Sequence, residues 1–123
     1  MAAPNIVNVA TITAKTAYLT PANTTANVLL ANAAASGKVL KINQIVACNV
    51  SGSAANTTVA LNSAAAGSGT SYPIASTISV PSSASLIVSD KSTAFYLEED
   101  RSIVVTSGTS GAVTYVVSYE ELS

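Results

Sequence analysis

The sequence lacks the residues on which most enzyme active sites depend. It contains no histidine, no tryptophan and a single cysteine among 123 residues. Without an imidazole the chain has no ordinary general base near neutral pH, no Ser-His or Cys-His couple, and no nitrogen ligand for zinc. A Ser-Lys arrangement remains, but no lysine stands in a Ser-x-x-Lys context. The composition therefore predicts a protein that is not an enzyme and carries no cofactor.

Charge is also scarce. Charged residues make up 9% of the chain and the net charge is −1, whereas typical soluble domains are roughly 25% charged. Binding to a phosphate backbone needs clustered lysine and arginine, and here only Lys38 and Lys41 lie close together in the sequence. We therefore expect no nucleic-acid partner. A nearly neutral surface with little charge repulsion tolerates close packing beside other subunits.

Long apolar runs are missing as well. No segment approaches ~18 consecutive apolar residues, and the N-terminus has no basic stretch followed by an apolar one. These absences predict no membrane partner and no secretory leader, so we expect a chain made in the cytosol and kept there until it is assembled or released. Cys48 cannot form an internal disulfide and follows the apolar Val46 and Ala47, so we expect a buried structural thiol.

The sequence does contain a series of short segments in which apolar and polar residues alternate. Alternation places one face of a strand on a core, and clusters of turn residues separate the segments at regular spacing. These patterns predict one all-β domain over residues 1–123, an antiparallel β-sandwich (jelly-roll-like) of about eight short strands, with residues 1–5 a flexible arm. The expected extended segments are 6–13, 17–20, 26–31, 38–50, 57–63, 72–80, 86–88, 95–97, 103–105 and 112–119.

The segment 38–50 has the clearest pattern. At ~3.3 Å per residue it would span about 40 Å, so we expect a bulge near Gln44 and Ile45 or a crossing between sheets. The residues expected to face the core in this segment are Leu40, Ile42, Val46, Cys48 and Val50. Those expected to share one face of the last strand are Val113, Tyr115, Val117 and Tyr119.

Two neighbouring segments are candidate contact regions. The loop at 64–71 consists of small residues and shows no signal of local structure, so we expect it to be exposed and mobile. The segment 72–80 is limited by Pro73 and Pro81, which cannot donate to a strand ladder. We therefore expect this segment to form an edge strand that is available for pairing.

The acidic stretch Glu98-Glu99-Asp100 has two interpretations. Three carboxylates can supply oxygen ligands to calcium, but calcium loops space their ligands at alternate positions, and Arg101 brings a competing cation into the same turn. Charge runs most often face water. We therefore expect a solvated hairpin here rather than a metal site.

Charge is unevenly distributed along the chain. Residues 1–89 carry three lysines and no acidic residue, whereas residues 90–123 carry two basic and six acidic residues. If the two halves lie on different faces, copies could meet positive side to negative side. If strands from both halves interleave in one sandwich, the charges average out. Both arrangements remain open at this point.

Four segments share a pattern of short strands and turns: SGKVLKIN at 36–43, SVPSSASLIV at 79–88, AFYLEEDRSIVV at 94–105 and VSYEEL at 117–122. Together they resemble small structural proteins of tailed bacteriophages, in particular those of phages that infect cyanobacteria. The resemblance covers most of residues 36–122 and implies a virion component present in many copies. The chain departs from the pattern at Asp100-Arg101, where a Gly-Asp turn would be usual.

These observations predict a capsid decoration (cement) protein that packs on the major capsid protein or other virion subunits and reinforces the shell. We expect it to be located in the virion and to form a homo-oligomer in the particle. The alternatives are a tail, neck or fibre component and, in a different class, a carbohydrate-binding module or a small hydrolase. The expected contact residues are Ala2, Ala3, Pro4, Asn5, Lys38, Lys41, Gly67, Ser68, Gly69, Glu98, Glu99, Asp100 and Arg101.

Overall fold

The computed structural model of the chain describes residues 9–123. Nine strands and one turn of 3₁₀ helix, at Lys91–Thr93, follow one another in this part of the chain. The strands are β1 (Ile12–Leu19), β2 (Asn27–Asn32), β3 (Val39–Asn49), β4 (Ala55–Asn62), β5 (Ser71–Val80), β6 (Ser85–Ser89), β7 (Phe95–Leu97), β8 (Arg101–Ser107) and β9 (Val113–Leu122). The predicted contact residues at 2–5 lie outside the described residues.

The strands form two antiparallel sheets. The β1 sheet has the order β1-β9-β3-β6, with β7 also paired to β3, and the β2 sheet has the order β2-β8-β4-β5. Strands β6 and β7 pair with successive parts of β3 and are separated by the 3₁₀ helix, so they act as two pieces of one edge strand. Counted in this way, the described part of the chain forms two four-stranded sheets in jelly-roll order. The prediction of an all-β, jelly-roll-like sandwich is confirmed.

The core lies between the sheets and consists mainly of β-branched aliphatic residues, which suit a half-buried pleated surface. Ile42, Val59, Ile103 and Val117 are fully buried. Tyr115 is the largest fully buried side chain, and its hydroxyl hydrogen-bonds the Thr57 hydroxyl and donates to the Thr106 carbonyl at 3.0 Å. Burial raises the pKa of this phenol, and the Thr57 bond opposes that shift. The predicted parity of the last strand is confirmed for Val113, Tyr115 and Val117, and Tyr119 packs partly buried against the core.

Strand β3 contains the expected bulge, but the bulge changes which residues face the core. The pairing of β3 with β9 shifts between Ile42 and Gln44. An extra residue in one strand reverses the direction of the side chains that follow it. Ile45 and Ala47 are therefore fully buried, while Val50 is 60% exposed. The prediction of inward-facing residues after the bulge was wrong.

Cys48 and β1 also differ from the sequence-based expectation. Cys48 is half-buried, because the bulge turns it to the outer face of the β1 sheet, and it is not a core thiol. Strand β1 runs through Lys15 and Thr16 without interruption, in unbroken register with β9, and the Lys15 ammonium pairs with Glu121. The edge position of residues 72–80 is confirmed, because β5 ends the β2 sheet. No helix among the described residues is long and apolar enough to cross a membrane.

Candidate interaction surface

Three connections between strands meet at one end of the sandwich. They are the β2–β3 connection at 33–38, the β4–β5 connection at 63–70 and the β7–β8 turn at 98–100, which we call the loop end. The strands that precede these connections, β2, β4 and β7, all finish at the same end of the sandwich, so the jelly-roll order brings the connections together. Thr11 and Ser123 are paired beside them. The loop end contains eight of the nine predicted contact residues that the structure describes, counting Arg101 at the adjoining start of β8.

The acidic turn holds the loop end together through bonds to the backbone. A carboxylate oxygen of Glu99 accepts a hydrogen bond from the Gly37 amide at 3.1 Å, and one of Asp100 accepts from the Ala65 amide at 3.2 Å. The Asp100 amide donates to the Asn32 carbonyl at 2.8 Å. Arg101 reaches the Ser63 carbonyl at 3.3 Å. The turn therefore connects both of the other loops of this end.

The predicted hairpin at this turn was wrong, because β7 and β8 belong to different sheets. Of the three carboxylates, Glu98 is exposed, and the other two bond amides as described. No group of three or more potential metal ligands occurs among residues 9–123. Asp100 has φ of 57°, a left-handed conformation that favours glycine. The turn thus has a glycine-like backbone at the position where the resembled pattern has glycine.

The small-residue loop is ordered by hydrogen bonds. The Asn62 side chain donates to the Ser71 hydroxyl at 2.9 Å and accepts from the amides of Ala64 and Gly69, both at 3.0 Å. Gly67 has φ of 76°, and a Cβ there would lie 3.0 Å from Val28 Cγ2, so the loop packs closely on the β2 sheet. The prediction of a loop without local structure was wrong. Its tip residues Ser68 and Gly69 are exposed, as expected.

The two lysines of the predicted contact set lie in different surroundings. Lys38 belongs to the loop end, where its ammonium lies 2.9 Å from one oxygen of Glu121, while Lys15 lies 3.2 Å from the other. The hydrogen bond from Lys38 lowers the pKa of Glu121 below its ordinary value of 4.5; partial burial opposes the shift and Lys15 adds to it. Lys41 lies outside the loop end, opposite Glu120 and Tyr96 on the outer face of the β1 sheet.

Charges from the two halves of the chain are intermixed. Each sheet contains strands from before and after residue 90, and the pairs of Lys15 and Lys38 with Glu121 join one half to the other. The arrangement with averaged charges is therefore the one found. The segregated arrangement, in which copies meet positive side to negative side, was wrong.

An apolar row crosses the outer face of the β1 sheet. The register places Tyr18, Val116, Val46 and Ile87 side by side on four neighbouring strands. Tyr18 is 77% exposed and Ile87 is 59% exposed. The sequence pattern did not predict this row, because the alternation along 38–50 placed Val46 on the face toward the core. Only the strand register reveals it.

A shallow groove of about 520 Å³ lies on the same sheet face. All of its lining residues are of polar types, and they come from the β3 bulge, Ser118 and the start of the 3₁₀ helix at 90–92. Asp90 caps the 3₁₀ helix, and its carboxylate accepts hydrogen bonds from the amide and the hydroxyl of Ser92. These bonds lower the pKa of this exposed carboxyl. The exposed rings of Tyr18 and Tyr96 lie on opposite edges of the β1 sheet, and that of Tyr72 lies on the other sheet, so the three rings are separated. The described residues therefore contain no cluster of exposed rings of the kind that binds sugars.

No family model matches the sequence, and no curated protein matches it either. The surfaces described above are consequently the basis for inferring a function.

Proposed function

We propose that this protein is a non-enzymatic capsid decoration protein of a tailed bacteriophage. It would bind the major capsid protein through the loop end and reinforce the shell from outside. The observation that carries this proposal is the convergence of the predicted contact residues at one end of the sandwich, where they are hydrogen-bonded into one unit. The resemblance of residues 36–122 to phage structural proteins supports the same class.

The loop end is suited to repeated, modest contacts. Its backbone is already fixed by the side chains of Asn62, Glu99 and Asp100, so binding orders few additional groups and loses little conformational entropy. Its tip is exposed and consists of small residues without charge, at Ser68 and Gly69. Contacts of this kind gain strength when symmetry repeats them across a shell.

Co-sedimentation with shells of the same phage tests the proposal. Ser68→Glu places a charge at the loop end, and Ser110→Glu places the same charge at the opposite end. Both serines are exposed, so neither change should alter the fold. We expect the unmodified chain and Ser110→Glu to sediment with shells, and Ser68→Glu to bind at least about tenfold more weakly, as expected for a charge buried without a partner. Equal binding of the two variants, or no binding of the unmodified chain, would contradict the proposal.

The other candidate functions give different results in particle and glycan assays. A tail, neck or fibre component would bind tails and leave shells free. A carbohydrate-binding module would retain glycans, and a small hydrolase would lose activity when one of the acidic residues at 98–100 is changed. The scattered exposed rings and the engaged carboxylates of Glu99 and Asp100 favour the decoration protein over these last two.

A further inference from the structure

Among residues 9–123 the sandwich has four edge strands, and three of them are irregular. Strand β5 contains Pro73, two register shifts and Thr77 with φ of 50°. The β6–β7 edge is interrupted by the 3₁₀ helix, and β2 is six residues long with a register shift. Proline, bulges and short length are the usual devices that prevent an edge from pairing with another chain. These three edges are thus protected against pairing.

Strand β1 has none of these devices. All eight of its residues pair with β9 in unbroken register, and the strand contains neither proline nor glycine. Its one charged residue, Lys15, is paired with Glu121, so the edge presents little uncompensated charge. Ile12 and Tyr18 on its outer face are 60% and 77% exposed. Within residues 9–123, β1 is the regular, apolar edge of the molecule.

The backbone groups of β1 that point away from β9 can be identified. The Thr11 amide donates to the Ser123 carbonyl at 2.9 Å, and the Ser123 amide donates to the Thr11 carbonyl at 3.0 Å. Bonded and non-bonded pairs alternate along an antiparallel ladder. The odd-numbered residues of β1 therefore bond β9, and the N–H and C=O groups of Ile12, Ala14, Thr16 and Tyr18 point to the side on which no other described strand lies.

We propose that β1 pairs antiparallel with β1 of a second copy, joining the two β1 sheets into one continuous sheet. A two-fold axis at Thr16 places Thr16 opposite Thr16 of the second copy and Ala14 opposite Tyr18. In this register the free backbone groups of Ala14, Thr16 and Tyr18 pair with one another, Ile12 falls opposite Thr20 just beyond the strand, and each Tyr18 ring covers a small alanine. The alternative axis at Lys15 would set two lysines directly opposite each other, which is unfavourable.

A second copy fits this edge better than an unrelated strand does. The two-fold axis makes residues 13–19 complementary to themselves, because each Tyr18 meets an Ala14 at both ends of the pair. Pairing also brings the apolar rows of the two copies to the boundary between the joined sheets, because each row ends at Tyr18. The proposal does not rest on the proposed function, since the pairing concerns the free protein.

Analytical ultracentrifugation of the full chain over a wide concentration range tests the pairing. Thr16→Pro removes an N–H that β9 does not use, so the monomer should keep its fold, while Thr16→Val keeps the N–H as a matched control. We expect the unmodified chain and Thr16→Val to dimerise, and Thr16→Pro to raise the dimer dissociation constant by about tenfold or more. A monomer at every concentration, or a dimer insensitive to Thr16→Pro, would overturn the proposal.

Disulfide trapping gives a second readout that does not depend on proline. In a Cys48→Ala background, Thr16→Cys should form a disulfide-linked dimer under mild oxidation, since bonded pairs of an antiparallel ladder have Cα atoms about 5.5 Å apart. Ala14→Cys is the matched control, because its counterpart in the second copy lies four positions along the strand. Equal trapping of both variants, or trapping of neither, would overturn the proposed register.

Discussion

At the scale of single residues, three buried asparagines fix the connections between strands. Asn32, Asn49 and Asn62 are the last residues of β2, β3 and β4, and each is at most 3% exposed. Their side chains bond the backbone of the loops that follow, as an amide with both donors and an acceptor can do. The loops of this protein therefore owe their shape to side chains at strand ends.

Replacing Asn62 by alanine tests this role. We expect the free energy of unfolding to fall by about 1–3 kcal/mol, because the loop amides lose a buried acceptor, and the amide hydrogens of Ala64 and Gly69 to exchange faster. Urea unfolding and hydrogen exchange measure the two effects. Asn56→Ala, at an exposed site on the same strand, should cost about 0.5 kcal/mol or less. Equal costs for the two variants would refute the role of Asn62.

Glu121 should make stability depend on pH. Its folded pKa is lowered, chiefly by the bond from Lys38. Its contribution to stability is therefore present above its ordinary pKa of 4.5 and is lost as the pH falls through the lower folded value. We expect Glu121→Gln to be less stable than the unmodified chain near neutral pH, and the difference between them to shrink on acidification below 4.5. Urea midpoints across this range check the trend, and a constant difference would contradict it.

At the scale of the strand, β3 shows how one extra residue reorganises a surface. The bulge after Ile42 turns Ile45 and Ala47 inward and leaves Val46 on the outer face, where it joins the apolar row with Val116. The bulge could be predicted because an unbroken strand of that length is rare. The sequence could not predict which residues after the bulge face the core, because the exact position of the extra residue depends on pairing with β9.

Neighbouring alanine substitutions in β3 distinguish the two faces. Ile45→Ala should destabilise the protein by about 2–5 kcal/mol, because it leaves a cavity in the core. Val46→Ala removes a half-buried outer side chain and should cost about 1 kcal/mol or less. Denaturant unfolding of the two variants measures both costs. A larger loss for Val46→Ala would mean that the parity predicted from the sequence alone is the true one.

At the scale of the whole molecule, local patterns predicted the sandwich and the β5 edge, but they could not predict the loop end. Alternating residues report burial on one strand at a time. The meeting of Gly37, Ala65 and Asp100 depends on connections that cross between sheets, and sequence spacing gives no sign of it. The loop at 64–71 was misjudged partly for the same reason, because two of its bonds reach Asp100 and Ser102, 35 and 38 residues away. Its other bonds are local and come from Asn62, whose role at the strand end the composition of the loop did not indicate.

The fold and the surfaces together suit the proposed decoration protein, of which many copies would surround a larger particle. Its surface has few charges, and the contact residues predicted from sequence lie mostly at one end. The β1 edge adds a route by which neighbouring copies could join. A decoration protein with both contacts would tie coat subunits to one another as well as covering them.

Quantitative mass spectrometry of purified particles of the phage to which the proposal assigns this chain tests the proposed decoration role most directly. The measurement compares the molar amount of this chain with that of the major capsid protein in the same particles. We expect a ratio that corresponds to on the order of hundreds of copies per particle, as repetition over a symmetric shell requires. A handful of copies, or none, would contradict the account.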